Sequence, residues 1–360
     1  MKLLILTQKI DKNDDVLGFM HEWLQEFAKH FEKVIVIALR VGYYDLPENI
    51  KVLSLGKPAQ GWSASGGEKI TGKLRALFNF YKYIWRERKN YDAVFVHMNP
   101  EYIVLGGLFW RLWNKKVSLW YAHGTINPFL KIAEKISHII FTSTKEGCRI
   151  SSSKIKIIGQ GIDAEFFKPV EREKRSEFKI ISVGRISPAK DYETLIKAIQ
   201  FIIDETDERP QIDIAGDIAV PEDKAYLEKL KSIVSGQKMD KIIEFRGSIP
   251  HAEIVGFLQS ADLFVNMSHT GSLDKAVLEA MSCGLLILTC NEAFENALGE
   301  YRDILMYPKN NFYELAKKIE AVMKMNINER RRISHDLRMI VVNNHSLRHF
   351  VEQILNYLNC

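Results

Sequence analysis

The sequence predicts an α/β protein of two doubly wound domains, each a parallel sheet covered by helices on both faces. Short runs rich in Ile and Val alternate with helix-length amphipathic stretches from end to end. That rhythm breaks once, at a proline-led stretch of dense mixed charge, and then starts again. At 360 residues the chain exceeds one ordinary core and suits two of about 150–200 residues each. A hydrophobic content of 46% is enough to fill both.

The first domain is read from LLILT, VIVIAL, AVFVHM, VSLWYA, HIIFTS and IKIIGQ. Runs this apolar, with helical patterns between them, are what a strand needs when crossover helices bury both of its faces. MKLLILT is too short for a signal peptide and leads directly into KIDKNDD, so it reads as the first buried strand. Residues 168–179, KPVEREKRSEFK, can join neither core and form the expected linker. The second domain follows as FKIISV, IDIAG, IIEFRG, LFVNMS and LLILT, and HSLRHFVEQILNYL closes the chain as an amphipathic helix. The expected boundaries are 1–168 and 169–343, with a terminal helix over 344–360.

Composition narrows the function classes. Cys148, Cys283, Cys290 and Cys360 lack metal-ligand spacing and lie mostly in apolar contexts, which points to a reducing cytoplasm. No stretch reaches the roughly 18 apolar residues of a membrane span, so a soluble or peripheral protein is expected. Residues 1–168 carry a formal charge of +9 and residues 169–360 carry −4, against a total of +5. The basic half is expected to face something anionic: a lipid surface, a lipid-phosphate acceptor or an acidic glycan. No nucleic acid partner is expected. Residues 69–89, KITGKLRALFNFYKYIWRERK, and 109–116, FWRLWNKK, mix cations with aromatic rings. A membrane-interface segment has that composition, and so does a core helix with a snorkelling basic face. Gly67–Lys73 imitates a P-loop, but Leu74 replaces the magnesium-binding hydroxyl and no strand precedes it. No G-x-S-x-G is present, against a serine-type hydrolase. No Asp-x-Asp is present either, so neither a bound metal nor another cofactor is expected.

The residues that carry chemistry cluster at strand ends. Asn266–Met281, NMSHTGSLDKAVLEAM, runs from a strand through a Gly/Ser turn into a helix, and a helix N-terminus offers unpaired N–H groups to phosphate. Gly271 and Ser272 let the backbone approach a ligand, and Glu279 sits deeper in the helix, within reach of a ribose. Gly184 and Arg185 follow the strand FKIISV, with Lys190 at the next corner; two cations beside a helix start suit a diphosphate. Gly216 ends IDIAG where a base or phosphate would pass. In the first domain Gly18 is a candidate for close approach to phosphate or acceptor. His97 and Asn99 end a strand and either touch the acceptor or cap their loop. His123 closes VSLWYA.

SVGRISPAKDYETLIKAI, IDIAGD, IEFRGSIPHAEIVGFLQSADLFVNMS and LEAMSCG, with YAHGT and IIGQGIDAEFFKP more faintly before them, resemble the retaining glycosyltransferases of family GT4, which have the GT-B fold. The resemblance implies two Rossmann-like domains facing a central cleft, with the terminal helix crossing back onto the first. It implies a UDP- or GDP-sugar donor held by the second domain and a glycan or lipid-linked acceptor held by the first. Arg185 and Lys190 would meet the diphosphate, Glu279 the ribose, His123 the reacting carbon, and the backbone at Ser248 and Ile249 the base. The family's first glutamate is replaced by Gly271, and its Gly-Phe-Gly by Ser272, Leu273 and Asp274, which leaves the donor sugar open. Asp274 toward a sugar hydroxyl and Lys275 toward the diphosphate are the compensations on offer, unless both are surface residues of a first helical turn. A sugar-nucleotide epimerase and a non-catalytic nucleotide-sugar binder are the rival readings. The expected location is cytoplasmic, peripheral to the inner face of the membrane.

Overall fold

The computed structural model describes residues 1–14, 16–57, 66–171, 177–218, 220–269 and 271–359, with side chains from residue 72 onward in the segment that opens at 66. Residues 172–176 of the expected linker, the side chains of 69–71 in the aromatic-basic stretch, Thr270 of the signature stretch, and Cys360 lie outside the described residues. The chain forms two units, Met1–Gly161 with Leu347–Cys360, and Ile162–Ser346.

The first unit contains β1 (Lys2–Ile10), α1 (Met20–His30), β2 (Lys33–Val41), β3 (Ile50–Lys57), α2 (Gly66–Arg86), β4 (Ala93–His97), α3 (Pro100–Leu112), β5 (Lys116–Trp120), α4 (Pro128–Ile136), β6 (Ile139–Thr142) and β7 (Ile155–Ile157). Among the described residues its sheet is seven-stranded, in the order β3-β2-β1-β4-β5-β6-β7, and every pairing is parallel. The central strands are apolar on both faces because helices cover both: β4 is buried at all five residues. Gly67–Lys73 lies in α2, so the P-loop likeness is helical backbone.

The second unit contains β8 (Lys179–Val183), α5 (Tyr192–Glu205), β9 (Gln211–Ala215), α6 (Lys224–Gly236), β10 (Ile243–Gly247), α7 (His251–Gln259), β11 (Leu263–Asn266), α8 (Lys275–Ser282), β12 (Leu286–Thr289), two single-turn helices α9 (Glu295–Leu298) and α10 (Arg302–Leu305), α11 (Phe312–Lys324) and α12 (Ile327–Asn344). Its parallel sheet runs β10-β9-β8-β11-β12.

The unit boundaries differ from the expected 168/169 and 343/344. Ile162 and Phe167 already belong to the second core, and Arg338 donates to the carbonyls of Ala164 (3.2 Å) and Phe167 (3.0 Å). The charged stretch therefore begins after the chain has docked. The terminal helix α13 (Leu347–Asn359) belongs to the first unit. Its Leu347, Phe350, Val351, Ile354 and Leu358 share one face at helical spacing and enter the core there, with the Phe350 ring 4.3 Å from Trp23 and 4.9 Å from Trp120. Trp23 donates its indole N–H to the Gly161 carbonyl at 2.8 Å, pinning the last residue before the chain leaves the unit.

Strand order fixes where ligands belong. The sense in which successive strands are added across the sheet reverses between β1 and β4 in the first sheet and between β8 and β11 in the second. In open parallel sheets these switch points open a crevice at the carboxyl ends of the strands. The loops that follow β8 and β11 carry Gly184–Lys190 and Gly271–Asp274, and the loops that follow β1 and β4 carry Gly18 and Asn99.

Candidate active site

Lys190 ends a single 3-10 turn, Pro188–Lys190, between β8 and α5. Its ammonium donates to Asp274 Oδ1 at 2.9 Å and to Ser268 Oγ at 3.3 Å, which joins the loops after β8 and β11. The other Asp274 oxygen accepts from Asn266 Nδ2 at 3.0 Å. Asn266 is itself held by the Thr289 hydroxyl on Oδ1 (2.9 Å) and by the Tyr307 hydroxyl on its carbonyl (3.0 Å). Asn291 donates its side-chain amide to the Ser272 carbonyl at 2.8 Å. Buried polar groups must be paired, and here the pairing fixes the approach to α8.

Gly271 adopts φ +68, a left-handed conformation that glycine takes without a Cβ penalty. Leu273 is buried and anchors the turn, and Asp274 stands at the N-cap of α8 with its carboxylate turned to Lys190 and Asn266 instead of to the helix N–H groups. Lys275 begins the helix, and Glu279 lies buried four residues on, hence on the same face. Of the two alternatives the sequence left for Asp274, the surface residue of a first helical turn does not fit, since its side chain is 16% exposed and ion-paired with Lys190.

Gly184 and Gly216 touch. The Gly184 N–H donates to the Ala215 carbonyl (3.0 Å) and the Gly184 carbonyl accepts from the Tyr192 hydroxyl (2.9 Å). Gly216 packs against that carbonyl, so the need for glycine there comes from backbone meeting backbone, whereas the sequence suggested room for a passing base or phosphate. Arg185 is exposed just beyond. Ser248 is exposed and Ile249 half-buried after β10, whose Gly247 carbonyl accepts the Gly216 N–H at 2.8 Å. Burial pushes the Cys290 thiol up to about 11, which removes it as a nucleophile at neutral pH.

In the first unit, Gly18 sits in the turn before α1, donating its N–H to the Asp14 carbonyl (3.0 Å). Burial pushes the Asp14 carboxyl up, but hydrogen bonds from Lys9, the Leu17 N–H and the Val16 N–H outweigh it and hold the group below its ordinary value. His97 is 4% exposed, its ring within 6 Å of Phe19 and Trp23 and its Nδ1 3.3 Å from the Thr7 hydroxyl. Asn99 donates to the His97 carbonyl (3.0 Å) and accepts from Gln8 Nε2 (2.7 Å). Both residues help to build the loop after β4, as the capping alternative expects. His123 is exposed, and its Nδ1 accepts the Thr125 N–H at 3.2 Å, which leaves the ring proton of the neutral form on Nε2.

Residues 163–338 match the family model described as Glycosyl transferases group 1. That stretch belongs to the group 1 glycosyl transferases. Among relatives, the D-inositol 3-phosphate glycosyltransferase of Arthrobacter sp. is 24% identical over 208 residues, 54% of this chain and 49% of that protein. The UDP-Gal:alpha-D-GlcNAc-diphosphoundecaprenol alpha-1,3-galactosyltransferase of Escherichia coli is 25% identical over 256 residues, 62% of this chain and 64% of that one. The chain spans about half or less of the length of the first curated relatives it matches. Two solved structures extend the likeness over the whole chain. Anabaena HepE in complex with UDP and glucose aligns over 100% of this chain and 99% of its own at TM-score 0.73 and 16% identity. Sucrose-phosphate synthase of Thermosynechococcus elongatus aligns over 99% and 98% at TM-score 0.78 and 14% identity. The fold is GT-B.

Within the group 1 domain two pairs of the predicted residues are in direct contact, Lys190 with Asp274 and Gly184 with Gly216, and they adjoin, since the Lys190 side chain runs 3.4 Å from where a Cβ on Gly184 would stand. The group 1 domain also depends on Asn266, Ser268, Thr289 and Asn291, which sequence reading does not single out. One signal was there: Asn266 and Ser268 interrupt an apolar strand at the end where loops carry function, and a buried polar residue in such a place asks for a partner.

Proposed function

We propose that the chain is a retaining glycosyltransferase that moves a sugar from a nucleotide-diphosphate donor to a hydroxyl of a glycan or lipid-linked acceptor. The observation that carries this is the Lys190–Asp274 pair at the β8/β11 switch point, beside the N-terminus of α8. When the sugar–phosphate bond breaks, negative charge grows on the diphosphate, and fixed cations and N–H dipoles aimed there lower the barrier. Arg185, Lys190 and the first turn of α8 are the groups for that task. Asp274 orients the Lys190 ammonium through one oxygen and is oriented by Asn266 through the other. UDP is the favoured nucleotide, because UDP stands in the names of the galactosyltransferase relative and of the HepE complex. A phosphate-bearing acceptor is favoured by the inositol phosphate and diphosphoundecaprenol in the relatives' names. His123 and the turn at Gly18 are the groups proposed for the acceptor side, with His97 and Asn99 shaping the loop beside them. No protein nucleophile stands out, so displacement on one face, with the leaving phosphate taking the acceptor proton, is the course proposed. No helix among the described residues is long and apolar enough to cross a membrane, and a lipid-linked acceptor implies work at the cytoplasmic face of one.

Two outcomes follow. Glu279→Ala should weaken UDP binding by about 1.5–3 kcal/mol, the worth of a charge-assisted hydrogen bond to ribose. Calorimetry with UDP and GDP checks it, and equal affinity for the better nucleotide in mutant and parent rejects the ribose role. Donor turnover should persist in excess EDTA, since Arg185, Lys190 and the helix dipole take the place of a divalent ion. Activity abolished by chelator and restored by magnesium or manganese would overturn the metal-free reading, and absence of any donor hydrolysis or transfer would favour a binder over an enzyme.

A further inference from the structure

The helices α2 and α3 carry apolar residues on two faces, and only one face of each is used by the core. Ala76, Phe80 and Ile84 of α2 and Ile103 and Trp110 of α3 are buried in the first unit. Leu74, Phe78 and Trp85 of α2 and Leu108 and Leu112 of α3 point outward, with Phe78 69%, Leu108 67% and Leu112 81% exposed. Their spacing by four or seven residues makes an outward stripe on each helix. Between the stripes runs a groove of about 720 Å³ walled by Phe78, Tyr81, Trp85, Phe109 and Trp113. Edge-to-face pairs close its floor, Tyr81 with Phe109 at 5.8 Å and Trp85 with Trp113 at 5.5 Å. A contiguous apolar surface of this kind on a water-soluble face marks an interaction site.

Charge decides what it meets. Residues 72–89 hold six Lys and Arg and a single acid, Glu87. That acid is buried and already paired with Lys51 and Arg86, so it does not offset the rest. Lys82, Arg86 and Arg88 line the groove itself, and the Arg88 guanidinium lies 4.7 Å from the Trp85 ring centre. Aromatic rings and leucines ringed by cations match the boundary between acyl chains and anionic headgroups, where aromatic residues settle and long basic side chains reach the phosphates. A second copy of this chain would set the same cations against one another, which charge complementarity opposes.

We infer that the α2–α3 groove docks the protein on an anionic phospholipid bilayer, acyl chains against the aromatic walls and lipid phosphates against Lys82, Arg88 and Lys89. This deepens the membrane part of the proposed function and is read without the transfer reaction, so either can fail while the other stands. Co-sedimentation with phosphatidylcholine vesicles, with and without phosphatidylglycerol, is the test. Binding is expected only to the anionic vesicles and is expected to weaken in high salt. Each cation near the surface contributes about fivefold, so Lys82→Glu with Lys89→Glu should lower the partition coefficient by about 25-fold or more. Arg86 is left alone because it pairs with buried Glu87. Phe78→Ser with Trp85→Ser, which alters exposed rings and not the core, should lower it comparably, with far-ultraviolet circular dichroism unchanged. Parent protein that ignores anionic vesicles at low salt, or variants that bind as well as the parent, would overturn the proposal. So would a concentration-dependent dimer that both double variants abolish, since the groove would then serve a second copy.

Discussion

Arg185→Ala should lower turnover by about 30- to 1000-fold, equivalent to about 2–4 kcal/mol of transition-state stabilisation, while leaving the melting temperature where it was. The side chain is exposed beyond β8, so its removal breaks no packing. Lys190→Ala should cost a similar factor in turnover and, unlike Arg185→Ala, stability as well. Its side chain is 14% exposed and its ammonium bridges Asp274 and Ser268, so the alanine leaves the partly buried Asp274 carboxylate with Asn266 but without its cation. Losing a hydrogen bond to a charged group costs about 1.5–3 kcal/mol. Lys190→Ala combined with Asp274→Asn should recover much of that stability, because the stranded charge goes too, and should recover none of the turnover. Steady-state kinetics with the donor and thermal unfolding of the four proteins separate the two effects. Unchanged turnover in a folded Arg185→Ala protein would sink the diphosphate assignment.

The fold was legible where burial is two-sided and illegible where it is not. β4 and β5 are short apolar runs because helices cover both faces, and they stand out from composition alone. β3 has the same backbone role at the edge of the sheet, yet only Leu55 of its residues is buried, so IKVLSLGK carries no continuous apolar run and goes unread. The boundary at 161/162 was hidden for a related reason. Ile162 and Phe167 look like the tail of the first domain in sequence, and only Arg338, far along the chain, reveals which core they enter. At the site, glycines, cations and a helix-borne glutamate announce themselves through strand-to-loop position. The partner of Lys190 does not, because Asp274 lies 84 residues away and an acid at a helix start is ordinary. His97 shows the same. Its strand-end position left acceptor contact and loop capping equally open, and the packing that holds its ring between Phe19, Trp23 and Thr7 comes from residues that sequence spacing does not bring together.

Gly216→Ala tests how the sheet builds the site. Gly216 has φ +134, which side-chain-bearing residues rarely adopt, and a Cβ built there would lie 2.0 Å from the Gly184 carbonyl oxygen. The obstacle is backbone in the β8–β9 pair, so neither group can swing aside. Overpacking and a strained backbone each cost about 1–3 kcal/mol, and their sum predicts a loss of about 2–6 kcal/mol. The damage should also reach the chemistry, because the Gly184 carbonyl that must give way is tied to the Tyr192 hydroxyl and is followed at once by Arg185. Gly256→Ala is the control. It lies within α7 with nothing inside 4 Å of an added Cβ, so alanine there should stabilise by about 0.5–1 kcal/mol through helix propensity. Denaturant unfolding of both variants, with UDP calorimetry on whatever remains folded, gives the comparison. A Gly216→Ala protein as stable as the parent, binding UDP equally well, would mean that the Gly184–Gly216 contact neither holds the second unit together nor positions Arg185.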